Sequence, residues 1–192
     1  MIKFFKQNRC AMPLIFLLIY GLPLSYLLIN FNNTLLFYSR IIGLIAFINV
    51  FAQVLLGSFR SFFKKLYNPL KVFKLHNYLG MITLILGLTH WLIYGLTISL
   101  NPGLIALSLM TITVITSDLK YFFNVNINNA FWRLTHLLNY SLFPILYIHA
   151  LNLGLIMQNS ITFTLITSYL IFGLIAGVYK LIIKVRTKQI SS

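Results

Sequence analysis

Long apolar runs with almost no charge are the feature that most constrains this chain. Six runs of 15 to 27 residues cover positions 11–29, 41–57, 72–98, 103–117, 134–156 and 161–179. The hydrocarbon core of a bilayer is about 30 Å thick and takes about 20 apolar residues of helix. The pattern therefore predicts an all-α membrane protein, a bundle of six transmembrane helices. Only 8% of the residues are charged, against about 25% in a typical soluble domain, which excludes a soluble enzyme.

The basic residues predict how the helices are oriented. If the six runs alternate in direction, 14 of the 15 lysines and arginines fall on one side, and only Arg40 falls on the other. By the positive-inside rule both termini are cytoplasmic. This divides the chain into a cytoplasmic N-terminus (1–10), a transmembrane domain (11–183) and a cytoplasmic tail (184–192). Anionic lipid headgroups account for the net charge of +14, so membrane lipid is an expected partner and nucleic acid is not.

The acidic residues and cysteines are too few for most catalytic sites. The chain has one cysteine, Cys10, and one acidic residue, Asp118. A single cysteine allows no internal disulfide and no cysteine-based zinc or iron–sulfur site. A single carboxylate excludes acid–base catalysis by a carboxylate pair and a calcium or magnesium cage. We therefore assign no catalytic residue from the sequence.

All four histidines fall within the third and fifth runs. His76 and His90 are 14 residues apart, and His136 and His149 are 13 apart, which corresponds to axial separations of roughly 21 and 20 Å on a helix. Since the third and fifth helices cross the membrane in the same direction, His76 matches His136 in depth near the cytoplasmic end. His90 matches His149 toward the outer end. Two facing imidazoles are the axial ligands of a six-coordinate b-type haem, so the spacing favours two haems stacked across the bilayer.

Other uses of the histidines remain open alternatives. Ionisable residues within spans are rare and generally functional, and a haem-free transporter or scaffold would use them for hydrogen bonding or proton relay. Copper or zinc is less favoured, because two histidines supply too few ligands. Helical rotation raises a further question. Fourteen residues return to within about 40° of the starting face, whereas thirteen miss it by about 140°, so a distortion at Pro144 would be needed on the fifth helix.

Four further residues are candidates for haem contact. Gly80 and Gly87 lie on the histidine-bearing side of the third helix, where a flat porphyrin could approach the backbone; ordinary helix packing is the alternative. Lys74 and Arg133 precede the inner histidines and could neutralise haem propionates, with membrane anchoring as the alternative. Arg40 could serve the outer haem in the same way.

Three segments carry a family resemblance: K-L-H-N-Y-L-G at 74–80, G-L-T-H-W-L-I-Y at 87–94, and W-R-L-T-H-L-L-N-Y followed by Y-I-H-A within 132–150. In these the chain resembles the ferric reductase-like transmembrane domain family. That family includes the membrane parts of NADPH oxidases and ferric reductases, and the MsrQ-type haem subunit of a periplasmic methionine sulfoxide reductase. The resemblance covers about residues 37 to 155. It implies six helices and two b-type haems, held by His76 with His136 and by His90 with His149.

The resemblance also implies outward electron flow across a membrane, here a bacterial inner membrane. Relatives of the oxidase type carry a C-terminal FAD and NAD(P)H module, which this sequence lacks. The expected donor is therefore a separate flavin (FAD or FMN) reductase or a membrane quinol. The acceptor is ferric iron, oxygen or a periplasmic partner protein, which makes the chain an oxidoreductase component. MsrQ-type proteins generally lack a histidine at the position of His76, so that residue favours a generic two-haem cytochrome over an MsrQ-type subunit.

Overall fold

The computed structural model describes residues 17–21, 23–25, 35–94, 102–153 and 160–190, and these ranges contain helices and connecting turns but no strand. Residues 17–21 and 23–25 are helical. Six longer elements follow: α1 (Leu35–Ser58), α2 (Arg60–Leu66), α3 (Pro69–Tyr94), α4 (Pro102–Tyr121), α5 (Asn129–Leu153) and α6 (Ser160–Ile190). The all-α prediction is confirmed for this part of the chain.

Four of these helices are long and apolar enough to cross a membrane. Their qualifying segments are Phe37–Ser58, Pro69–Ile93, Pro102–Tyr121 and Ser160–Lys180. The shortest predicted run, 103–117, is part of a 20-residue helix, which spans about 30 Å. The chain thus has the helices of an integral membrane protein.

The remaining two predicted spans have different outcomes. The fifth run forms α5, a continuous 25-residue helix that contains Pro144. Its hydropathy is too low to qualify as a membrane span, since three asparagines, Ser141, two histidines and Arg133 interrupt its apolar residues. The first run, 11–29, falls largely outside the described residues.

Helix α1 forms the centre of the bundle. Ile48 is completely buried on it, and Phe47 and Phe51 are nearly so. Both phenylalanines stack on Phe143 of α5, with ring centres 4.9 and 6.0 Å apart, and Phe51 also stacks on Tyr169 of α6. The most extensive packing joins α1 to α3, and next α4 to α5.

The two helices that carry the histidines, α3 and α5, have few close backbone contacts. The backbones of α3 and α5 make almost no close approach to each other, although both pack against α1 and α4. Helices in direct contact have axes about 8–10 Å apart, so the axes of α3 and α5 lie farther apart than this over most of their length. This separation leaves the space in which the candidate site lies.

Polar and small residues inside the spans bond and pack within the chain. Asn49 Oδ1 accepts a hydrogen bond from the Tyr20 hydroxyl, and Gln53 Nε2 donates to Thr83 Oγ1 at 3.0 Å. Gly173 lies against Phe143, and Gly177 against Tyr140. Such contacts are how polar and small residues join membrane helices.

Candidate functional site

A cavity of about 410 Å³ lies between α3 and α5. His76 and His136 both line it, one from each helix. The Nδ1 atoms of both histidines are buried and have no hydrogen-bond partner among the described residues. A volume of this order is typical of a cofactor or small-molecule site, and orphaned imidazole nitrogens in such a site are available to a ligand.

Three basic residues from different parts of the chain line the same cavity. Arg60 begins α2, Arg133 lies in the first turns of α5, and Lys180 lies on α6. Asp118 is the one acidic residue in the lining, so the cavity carries a net positive charge that suits an anionic group. Of the two basic residues singled out from sequence, Arg133 borders the cavity, whereas Lys74 is exposed and lies outside its lining.

The two glycines predicted to face a cofactor have different neighbours. Gly80 lines the cavity, and a Cβ there would lie 3.4 Å from Oε1 of Gln53. Gly87 instead faces α4, where a Cβ would lie 2.9 Å from Cε of Met110 and 3.3 Å from Cδ1 of Leu107. Close helix packing therefore explains Gly87, while Gly80 lies where cofactor contact is feasible.

The indole ring of Trp132 packs against His136. The Trp132 ring lies against the imidazole, with ring centres 4.4 Å apart and planes inclined by 36°. The ammonium group of Lys120 lies 4.8 Å from the centre of the Trp132 ring. On the other side, Ser117 Oγ is 3.5 Å from His136 Nε2. Side chains of α4 and α5 thus surround one histidine of the cavity.

The outer histidines form a second pair. The ring centres of His90 and His149 are 6.2 Å apart, and the ring planes are nearly perpendicular at 89°. A metal lies about 2.0 Å from a bound imidazole nitrogen, and a five-membered ring of such bond lengths has a radius of about 1.15 Å. Two imidazoles on opposite sides of one metal atom therefore have centres about 6.3 Å apart. The observed separation is close to that spacing and also lies in the range of an ordinary edge-to-face ring contact.

Backbone from two other helices supports the outer pair. Ser39 of α1 lies within hydrogen-bond distance of His90 Nδ1, through its carbonyl oxygen at 2.8 Å and its hydroxyl at 3.1 Å. The His149 ring lies over Gly103 of α4, and its Nδ1 is buried without a partner among the described residues. Sequence reasoning missed Ser39, Gly43 and Gly103, because each acts on a histidine more than 45 positions away in the chain.

One continuous helix supplies both fifth-run histidines. His136 lines the cavity shared with α3, while His149 contacts α3 and α4. Thirteen residues correspond to a rotation of about 140° on a regular helix, yet both histidines lie near residues of α3 and α4. Arg40 follows Ser39 directly in sequence, which places it at the end of the bundle where the outer pair lies.

A multi-ligand metal site is not seen in the described parts of the chain. Within those ranges no three side chains among His, Cys, Asp and Glu come together to hold a metal ion. Zinc and copper sites generally need three or four such ligands.

Comparison with known proteins found no relative of this chain. The chain matches no protein-family model, no curated protein and no solved structure. Its functional interpretation therefore rests on the motifs and on the geometry of the two histidine pairs.

Proposed function

We propose that this chain is a b-type haem subunit that carries electrons across a membrane. One haem would be held by His76 and His136, the other by His90 and His149. The observation that carries the proposal is the cavity between α3 and α5 that His76 and His136 line. His76 from α3 and His136 from α5 would hold a haem bound in this cavity.

The lining of the cavity supports haem at the inner pair. His76 and His136 supply two imidazoles whose Nδ1 atoms have no other described partner. Arg60, Arg133 and Lys180 supply positive charge for the two propionates, and charge-assisted hydrogen bonds to carboxylates are among the stronger polar contacts. Gly80 lines the same cavity.

The spacing of the outer imidazoles supports a second haem. Their ring centres lie 6.2 Å apart, as expected for two ligands of one metal atom. With both axial positions filled at each site, the irons would have no open coordination position. The cofactor would supply one-electron redox chemistry, while the protein sets its position, surroundings and potential.

The meeting of three basic segments supports a six-helix topology with cytoplasmic termini. Arg60, Arg133 and Lys180 come from three segments that the positive-inside rule assigns to the cytoplasm, and they line one cavity. Arg40 lies near the other histidine pair, at the opposite end of the bundle. The inner pair would receive electrons on the cytoplasmic side of a bacterial inner membrane, and the outer pair would pass them outward.

The donor and acceptor follow from the same arrangement. A separate flavin reductase or a membrane quinol would reduce the inner haem. Ferric iron, oxygen or a periplasmic reductase would accept electrons by outer-sphere transfer at the outer haem edge. An MsrQ-type role is the special case in which the acceptor is a methionine sulfoxide reductase.

The test is a dithionite-reduced minus oxidised visible spectrum of the purified full chain, with haem counted per polypeptide. Two b-type haems per chain are expected. A single haem would contradict the two-site proposal and favour the MsrQ-type alternative. No haem in folded protein, produced with adequate haem supply, would overturn the proposal in favour of a haem-free transporter or scaffold.

A further inference from the structure

The imidazole of His90 packs against Ser39 and Gly43 of α1. Ser39 is completely buried, and its carbonyl oxygen and hydroxyl lie 2.8 and 3.1 Å from His90 Nδ1. One helical turn later, Gly43 faces the same ring. A Cβ at residue 43 would lie 3.0 Å from both Cε1 and Nδ1 of His90. Ser39 and Gly43 together form what we call the α1 notch.

The glycine explains why the Ser39 carbonyl is accessible. In a helix this carbonyl accepts the N–H of residue 43, but a carbonyl oxygen has a second lone pair. The Cβ of a residue points back over the preceding turn, so a side chain at position 43 would crowd that lone pair. Gly43 leaves it open to an imidazole from α3.

The carbonyl also determines which tautomer His90 adopts. A carbonyl oxygen can only accept a hydrogen bond, so Nδ1 of His90 must carry a proton and donate it. In neutral histidine the lone pair then lies on Nε2. The Cγ–Nδ1–Cε1 edge of the ring faces α1, which turns Nε2 away from that helix.

We infer that the α1 notch makes Nε2 of His90 the metal-ligating nitrogen and lowers the midpoint potential of the outer haem. This inference rests on the proposed function. A hydrogen bond from the distal N–H of a ligating histidine fixes its orientation and raises its basicity, which stabilises ferric over ferrous iron. The Nδ1 atoms of His76, His136 and His149 have no such partner among the described residues. Ser39 is thus a positioning residue that acts on one of four ligands.

The test compares Ser39→Ala and Gly43→Ala in a spectroelectrochemical titration of the full chain in detergent or nanodiscs. Ser39→Ala removes the hydroxyl but keeps the carbonyl. The midpoint potential of the outer haem should rise by up to about 59 mV, which corresponds to a tenfold change in a one-electron redox equilibrium. Gly43→Ala displaces the ring from both acceptors, so the shift should be larger and the low-spin electron paramagnetic resonance signal of one haem should change. The inner-haem potential should stay constant.

Matched controls separate these effects from general perturbation. Ser108→Ala removes an exposed hydroxyl that bonds only its own helix backbone in α4, and Gly21→Ala adds a Cβ with nothing within 4 Å. Neither should shift either potential. Unchanged potentials in both notch variants of a two-haem protein would overturn the inference while leaving the proposed function intact.

A haem-independent measurement covers the case in which the wild-type protein binds no haem, which would refute the proposed function. Nitrogen-15 spectra of histidine-labelled protein should contain an Nδ1–H tautomer signal that His90→Gln removes and Gly43→Ala weakens. A wild-type spectrum without that signal would overturn the α1 notch itself, because the tautomer follows from the Ser39 carbonyl alone.

Discussion

The imidazole of His149 lies directly over the backbone of Gly103. A Cβ at residue 103 would lie 2.5 Å from Cε1 and 2.7 Å from Nδ1 of that ring, closer than unbonded atoms approach. Helix α4 therefore supports the outer pair as closely as α1 does. The position of His149 depends on the absence of a side chain in the first turn of α4.

Gly103→Ala should displace His149 and weaken the outer haem site. Because the added methyl group and the imidazole cannot both keep their places, the ring must move away from its 6.2 Å separation from His90. We expect haem content to fall from about two per chain toward one, as measured by a pyridine haemochrome assay. Gly21→Ala is the control, and equal haem content in the two variants would contradict the arrangement.

The two histidine pairs should behave as two independent units. Removing either ligand of a pair abolishes six-coordinate binding, so His90→Ala and His149→Ala should each remove the same haem, and the double variant should lose no more. His76→Ala combined with His90→Ala should lose both haems. Residues of one site give non-additive effects whereas distant sites add. Haem counts and reduced spectra of the four variants test the pairing, and additive loss within one pair would refute it.

Arg133→Gln should weaken haem retention at the inner site only. Arg133 borders the cavity but is exposed to solvent, so its loss should cost about 1 kcal/mol, a factor of about 5 in affinity. Haem transfer to apomyoglobin, followed spectroscopically, measures the loss rate. Lys71→Gln is the matched control, since Lys71 is exposed on α3 outside the cavity lining. Equal loss rates would remove Arg133 from the haem site.

The sequence predicted the helices because their physical signals are local. Apolar runs specify spans by composition, and four of the six predicted spans lie in helices that qualify for a membrane. The fifth does not qualify because residues such as His136, Asn139 and Ser141 reduce the hydropathy of α5. His136 was nevertheless one of the residues that marked this helix as a candidate functional element. The pairing of His76 with His136 and of His90 with His149 came from depth matching and from the family resemblance. In the structure His76 and His136 line one cavity, and the ring centres of His90 and His149 lie 6.2 Å apart.

The supporting residues could not be predicted, because they depend on how helices rotate against each other. Nothing about Ser39 in the sequence indicates that its carbonyl meets a histidine 51 positions later. Gly87 and Gly80 look equivalent on one helix face, yet only Gly80 borders the cavity. Lys74 and Arg133 each lie two or three positions before a histidine, yet only Arg133 borders the cavity.

Phe143→Ala should destabilise the whole bundle and release both haems together. Phe143 is 2% exposed and lies between Phe47, Phe51 and Gly173 at the junction of α1, α5 and α6. A buried Phe→Ala change costs about 3–5 kcal/mol in soluble cores, and about 2–4 kcal/mol is expected here because packing dominates over the hydrophobic effect in lipid. Phe172→Ala on α6 is the control, since Phe172 is 62% exposed on the lipid-facing surface. Thermal unfolding in detergent, followed by haem absorbance, should show a lower Tm for Phe143→Ala alone, and equal Tm values would mean that this aromatic cluster does not hold the histidine-bearing helix α5 in place.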